Sequence, residues 1–240
     1  MRPMRRMGGG GGFPSLETMA AKLTLALVAF SVLYLVTREG QGVLLLLTPG
    51  FLGSFLWQPF TYSVIGRDPL EIIFGALIFW QIGGFLESVW GSKRLLLVAL
   101  GGSALAGFLT ALVAFVAPLA TSYSGAFVMA TILWVAYGLT IGRGQTSFWG
   151  LPLSGNALAG IGAGFVVLAV LASGRNPVEG LLLNLPRVFA LLIAFAYVRG
   201  ASPKRLWLGF QHWRLQRQVR ARSRNLRVVA PDRPDDRYLN

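Results

Sequence analysis

The stretch Leu95–Val116 contains no Asp, Glu, Lys or Arg, and it is one of a series of such runs in this 240-residue chain. About 20 apolar residues in helical form cross a hydrocarbon core about 30 Å thick. Five further stretches approach that pattern: Met19–Val36, Leu70–Val89, Ser124–Ile141, Pro152–Ala172 and Leu181–Val198, the last interrupted by Pro186 and Arg187. A shorter run, Val43–Trp57, is broken by Pro49, Gly50 and Gly53 and reads as an interfacial or re-entrant segment. Only 13% of the chain is charged, against about 25% in soluble domains. That deficit excludes a disordered chain, a coiled coil and an ordinary cytosolic enzyme. The expectation is an all-α integral membrane protein with six transmembrane helices and an interfacial first loop.

Loop charge supports the count. Lys and Arg gather on the cytoplasmic side of membrane proteins. Here Arg2, Arg5 and Arg6 precede the first span, Lys93 and Arg94 follow the second, and Arg143 follows the fourth. From Arg199 onward, 11 basic and 3 acidic residues give the tail +8 of the net +13. Six spans place both basic ends on one side, whereas seven would export the tail. Three parts result: a basic, Gly-rich cytoplasmic N-terminus (1–18), a membrane body (19–199) and a basic cytoplasmic tail (200–240). No small-residue cleavage site follows Val36, so the first span reads as a retained anchor.

Trp57–Leu97 carries the most specific pattern, with Trp57, Thr61, Tyr62, Trp80, Gly84, Leu86, Glu87, Trp90, Gly91 and Ser92 at fixed spacings. It resembles the rhomboid intramembrane serine proteases. The resemblance implies a six-helix bundle and places Ser124, within Ser122-Tyr123-Ser124-Gly125, at the nucleophile position, with Ser122 replacing the family's first glycine. It also implies a histidine on the sixth helix and an HxxxN motif on the second. The sixth span has no histidine, and the HxxxN positions hold Glu71 and Gly75. A serine hydroxyl without a base is a poor nucleophile, and an ionised Glu71 opposes an oxyanion that needs donors. The expectation is therefore a rhomboid-like protein without proteolytic activity that binds transmembrane segments of other proteins. Glu71 and Arg187 are expected to form a buried ion pair in the vacated site. The alternatives are an active serine endopeptidase using Ser124 and a channel or transporter.

The chain has no Cys and one His, His212, in the tail, so no metal site and no cofactor are expected. Lys204, Arg205, Trp207, Trp213 and Arg214 lie in a basic, aromatic segment that suits a helix on anionic lipid. Nucleic acid is not an expected partner, because no recognition motif accompanies the charge. Nineteen Arg against three Lys, with no Cys, point to a bacterial inner membrane. Small residues at helical spacing, Gly160 with Gly164, Ser103 with Gly107 and Ala190 with Ala194, mark expected helix contacts.

Overall fold

In lipid every backbone N–H and C=O must find a partner within the chain, and each of the six apolar stretches is accordingly helical over most of its length. A computed structural model describes residues 17–37, 44–48, 57–114, 116–117, 121–148, 151–174, 176–200 and 214. The helices are α1 (Met19–Thr37), a single turn α2 (Gln58–Thr61), α3 (Pro69–Trp90), α4 (Ser92–Leu96), α5 (Gly102–Val113), α6 (Ala126–Ile141), α7 (Gly155–Ser173), α8 (Pro177–Leu183) and α9 (Leu185–Val198). A π-helical segment, Leu97–Gly101, joins α4 to α5. Between α6 and α7 lies a hairpin that apolar patterning did not predict, β1 (Gln145–Phe148) antiparallel to β2 (Leu151–Ser154), with Gln145 opposite Ser154. It takes Pro152 out of the expected fifth span, and Ser154 caps α7 instead.

Four helical runs are long and apolar enough to cross a membrane: α1, α3, Ser92–Val113 and α7. The count becomes five if α8 and α9, bent by 74°, form one broken span. The bend sits at Asn184, directly before α9, whose first turn holds Pro186. Proline is tolerated there because the first N–H groups of a helix need no intrahelical acceptor. The fourth apolar stretch yields the 16-residue α6, about 24 Å at 1.5 Å per residue. The described residues thus hold four to five candidate spans where the sequence suggested six.

Helix α6 is the hub, packing against α3, α7 and α9, with Met129, Ile132, Leu133 and Ala136 fully buried. Glycines decide how close its neighbours come. A Cβ on Gly162 would meet Trp134 Cδ1 at 2.8 Å, so α7 approaches α6 at that position. The expected GxxxG contact is corrected: a Cβ on Gly160 or Gly164 would meet nothing within 4 Å, because the pair lies off the face that α7 packs. On α5, Gly107 leaves room for the ring of Tyr62, whose hydroxyl donates to Ser103 O at 2.6 Å. Glu87, near the end of α3, accepts from Met19 N, Ala20 N and Ser92 Oγ at 3.1, 2.9 and 2.6 Å. One carboxylate therefore caps α1 and holds the turn into α4.

The contacts divide the chain into Met1–Arg199 and Gly200–Asn240. The expected N-terminal basic segment, most of the interfacial stretch Val43–Trp57, and Lys204, Arg205, Trp207 and Trp213 lie outside the described residues. Arg214 is described, helical and exposed.

Candidate functional site

The sequence Asp68-Pro69-Leu70-Glu71 starts α3. Asp68 Oδ1 accepts from Glu71 N at 2.8 Å, an N-cap with proline at the first helical position. A glutamate three residues after a cap ordinarily reaches back to the cap's own N–H. Here Glu71 Oε2 accepts instead from Arg67 N at 2.8 Å. The carboxylate also spans to the start of α6. Ser124 Oγ lies 2.9 and 2.8 Å from its two oxygens, and Phe127 N donates to Oε1 at 3.2 Å. Glu71 is 2% exposed.

Backbone carbonyls complete the α6 terminus. Gly125 N donates to Tyr62 O at 2.8 Å and Ala126 N to Ile65 O at 3.2 Å. That approach requires glycine at 125, since a Cβ would lie 2.5 Å from Tyr62 O. Gly75, one turn below Glu71, fills no polar role; a Cβ there would meet Leu27 Cδ2 at 3.0 Å, so it lets α1 approach α3. Ser122 presents O and Oγ to Arg67 Nη1 and Nη2 at 2.8 and 3.2 Å. Between these residues and the α8–α9 bend lies a polar cavity of about 270 Å³, lined by Arg67, Asp68, Glu71, Ser122, Ser124, Asn184 and Arg187 among others. Tyr123 closes one side, its hydroxyl donating to Leu182 O at 2.8 Å. Burial pushes its phenol up to about 12.

The expected ion pair is corrected. Among the described residues no direct ion pair joins Arg187 to Glu71, although the charges of Glu71 and Asp68 act favourably on the guanidinium across the cavity. Arg187 Nη1 donates to Asn184 Oδ1 at 3.2 Å, and its guanidinium lies 4.9 Å from the centre of the Phe127 ring. The cause is local. The bend puts Asn184 one turn before Arg187, while three N–H and O–H donors from Arg67, Ser124 and Phe127 already occupy the Glu71 carboxylate. The sequence thus named Ser124, Glu71, Ser122 and Arg187 at one cavity, expected direct contact where Glu71 and Arg187 interact only across it, and missed Asp68, Arg67 and Asn184. The cap spacing D-x-x-E marks Asp68, and an asparagine before Leu-Pro marks a helix break. No sequence signal singles out Arg67.

Arg187 also lines a second cavity. An apolar groove of about 390 Å³ runs between α3 and α7 over α6, lined by Phe74, Ile78, Phe127, Trp134, Phe165 and Val166 among others. Phe74 and Phe165 are 42% and 58% exposed. Among the described residues no three His, Cys, Asp or Glu side chains converge as metal ligands.

A family model described as eukaryotic integral membrane protein (DUF1751) matches residues 21–199. Compared with curated proteins, the chain matches none. The rhomboid assignment is corrected by this match: a short pattern around α3, built of capping and packing residues such as Glu87, Ser92 and Tyr62, suggested one family, and the body as a whole matches another. The bacterial inner-membrane assignment is corrected too, because arginine richness and absent cysteine do not outweigh a eukaryotic family match. Matched over nearly the whole membrane body, this multi-pass protein belongs to the DUF1751 family of eukaryotic integral membrane proteins.

Proposed function

We propose that this protein binds hydrophobic segments of other membrane proteins without cleaving them, receiving them along the groove between α3 and α7. The observation that carries this reading is the groove itself: about 390 Å³ of apolar space between two span-length helices, with half-exposed aromatic rings at its walls. Exposed aromatic surface beside a concave apolar site is what a guest segment needs. In this reading Ser124 is a strut, because its hydroxyl is held by a carboxylate that two main-chain N–H groups also engage. The six passes are α1, α3, α4 with α5, α6, α7 and the bent α8–α9 pair. Residues 1–18 and 200–240 then flank the 19–199 body on the cytoplasmic side, and the tail's Lys204, Arg205, Trp207, Trp213 and Arg214 lie on anionic lipid.

The test places a photocrosslinking residue at Phe165, with Leu33 on the exposed side of α1 as control, and adds a defined single-span hydrophobic peptide in liposomes. Crosslinking from position 165 above the control, with the peptide's mass intact, is the expected result. Equal crosslinking from both positions removes the groove from the reading.

One contact favours a second reading, a serine hydrolase: Ser124 Oγ lies 2.8 Å from a carboxylate oxygen. A base must sit within that reach of the proton it takes. Fluorophosphonate labelling that Ser124→Ala abolishes would establish it, and a cleaved peptide in the liposome assay would overturn the binding-only reading.

A further inference from the structure

Arg187 belongs to both cavities. It lines the apolar groove and the polar cavity alike. A guanidinium offers five N–H donors, and Arg187 spends one on Asn184 Oδ1 while its face rests on Phe127. A cation at the edge of hydrocarbon is costly unless an anion or water meets it. Arg67, on the far wall of the polar cavity, is a second guanidinium, aimed by Ser122. Asp68 and Glu71 line the same cavity and their charges act on Arg187 across it, but Glu71 is engaged by three donors and Asp68 caps α3, so neither carboxylate takes up the guanidinium's hydrogen-bond donors. The groove, at about 390 Å³, falls in the range of small-molecule sites, about 300–1,000 Å³. It is apolar along its length and reaches a guanidinium that spends one of its five N–H donors within the protein.

We propose that the groove and cavity together hold one phospholipid-type amphiphile, a hydrocarbon chain along Phe74, Ile78, Trp134 and Phe165 and a phosphate at Arg187. Guanidinium and phosphate match in charge and in bidentate geometry, and the polar cavity of about 270 Å³ accommodates the rest of the headgroup. The inference rests on the reading of the groove as open to the bilayer, and it means that a guest segment must displace a resident lipid.

The test uses the full-length protein in a neutral alkyl maltoside, with two photoactivatable probes of identical chains, a phosphatidic acid and a diacylglycerol. Phosphatidic acid should label the peptides carrying Phe74, Trp134 and Phe165, with the diacylglycerol about tenfold weaker, the scale of one or two charge-assisted hydrogen bonds. Arg187→Gln should bring phosphatidic acid down to the diacylglycerol level. Thr131→Trp, which fills the groove from α6, should suppress both. Equal labelling by the two probes, or labelling at Leu25 and Leu33 of α1 as strong as in the groove, overturns the proposal. Glycerol 3-phosphate that displaces phosphatidic acid completely would show a headgroup site that needs no chain, and overturns it as well. Wild-type labelling patterns decide these points even if a variant fails to fold. Crosslinking of the hydrophobic peptide from position 165 is scored in parallel. Peptide capture without phosphate preference sinks the lipid inference alone, and phosphate preference without peptide capture sinks the guest-binding reading alone.

Discussion

Glu71 joins two helix starts, and its energetic weight follows from what it leaves behind. Truncation removes the acceptor of Arg67 N–H and Phe127 N–H, both part-buried, at about 1–3 kcal/mol for each donor that goes unsatisfied. Glu71→Ala should therefore destabilise the protein by about 3 kcal/mol, and Ser124→Ala by about 1 kcal/mol, in denaturant unfolding in detergent. A double-mutant cycle should give stronger coupling for Glu71 with Ser124 than for Glu71 with Arg187; the reverse order would restore the direct ion pair. Tyr123 supplies a pH signature. Its folded pKa is raised above the unfolded value of 10.0, to about 12, so folding favours the protonated phenol. That contribution is complete below pH 10 and is lost as pH rises towards 12. Unfolding measured from pH 9 to 12 should show a decline that Tyr123→Phe flattens; an unchanged slope in that variant would assign the decline to another group.

At the scale of elements, two junctions set the geometry of the cavity. The first is the α6 terminus, where Gly125 lies against the Tyr62–Ser63 backbone. Gly125→Ala forces two rigid backbone segments apart, and a loss of about 2 kcal/mol or more in stability is expected from such overpacking. A thermal midpoint equal to wild type would show that the approach is looser than described. The second is the bend at Asn184, whose Nδ2 donates to Ala169 O on α7 and Gly180 O on α8, at 3.2 and 3.0 Å. Asn184→Ala removes the tie between α7 and the bend and the acceptor that orients Arg187. Faster amide exchange in Leu185–Ala190, with little change in α3, is the expected readout; uniform exchange would mean that the proline alone holds the bend.

At the scale of the molecule, the absence of cysteine makes the number of bilayer crossings directly measurable. Single-cysteine variants Lys93→Cys, Arg143→Cys and Val178→Cys should divide under an impermeant maleimide in sealed vesicles. Positions 93 and 143 should react from one side and position 178 from the other, which requires both α6 and α7 to cross. If 93 and 143 fall on opposite sides, α6 does not span. Composition cannot decide this, because α6 is surrounded by α3, α7 and α9, and a helix sheathed by helices need not match the hydrocarbon thickness by its own length.

Long charge-free runs made a helical membrane body unavoidable, since lipid offers no partner to a peptide group and the chain must satisfy its own. Pro186 likewise marked an interruption of the last apolar stretch, which the fold realises as the bend at Asn184. The rest belongs to the folded state. Whether Glu71 bonded directly to Arg187 or to Ser124 depended on which donors the fold brings within reach, and those came from positions 67, 124 and 127. The outward turn of Gly160 and Gly164 and the meeting of both cavities at Arg187 were decided in the same way. Spacing along a chain fixes which face of one helix a residue occupies; which neighbour covers that face is settled only when all the helices compete for the same contacts.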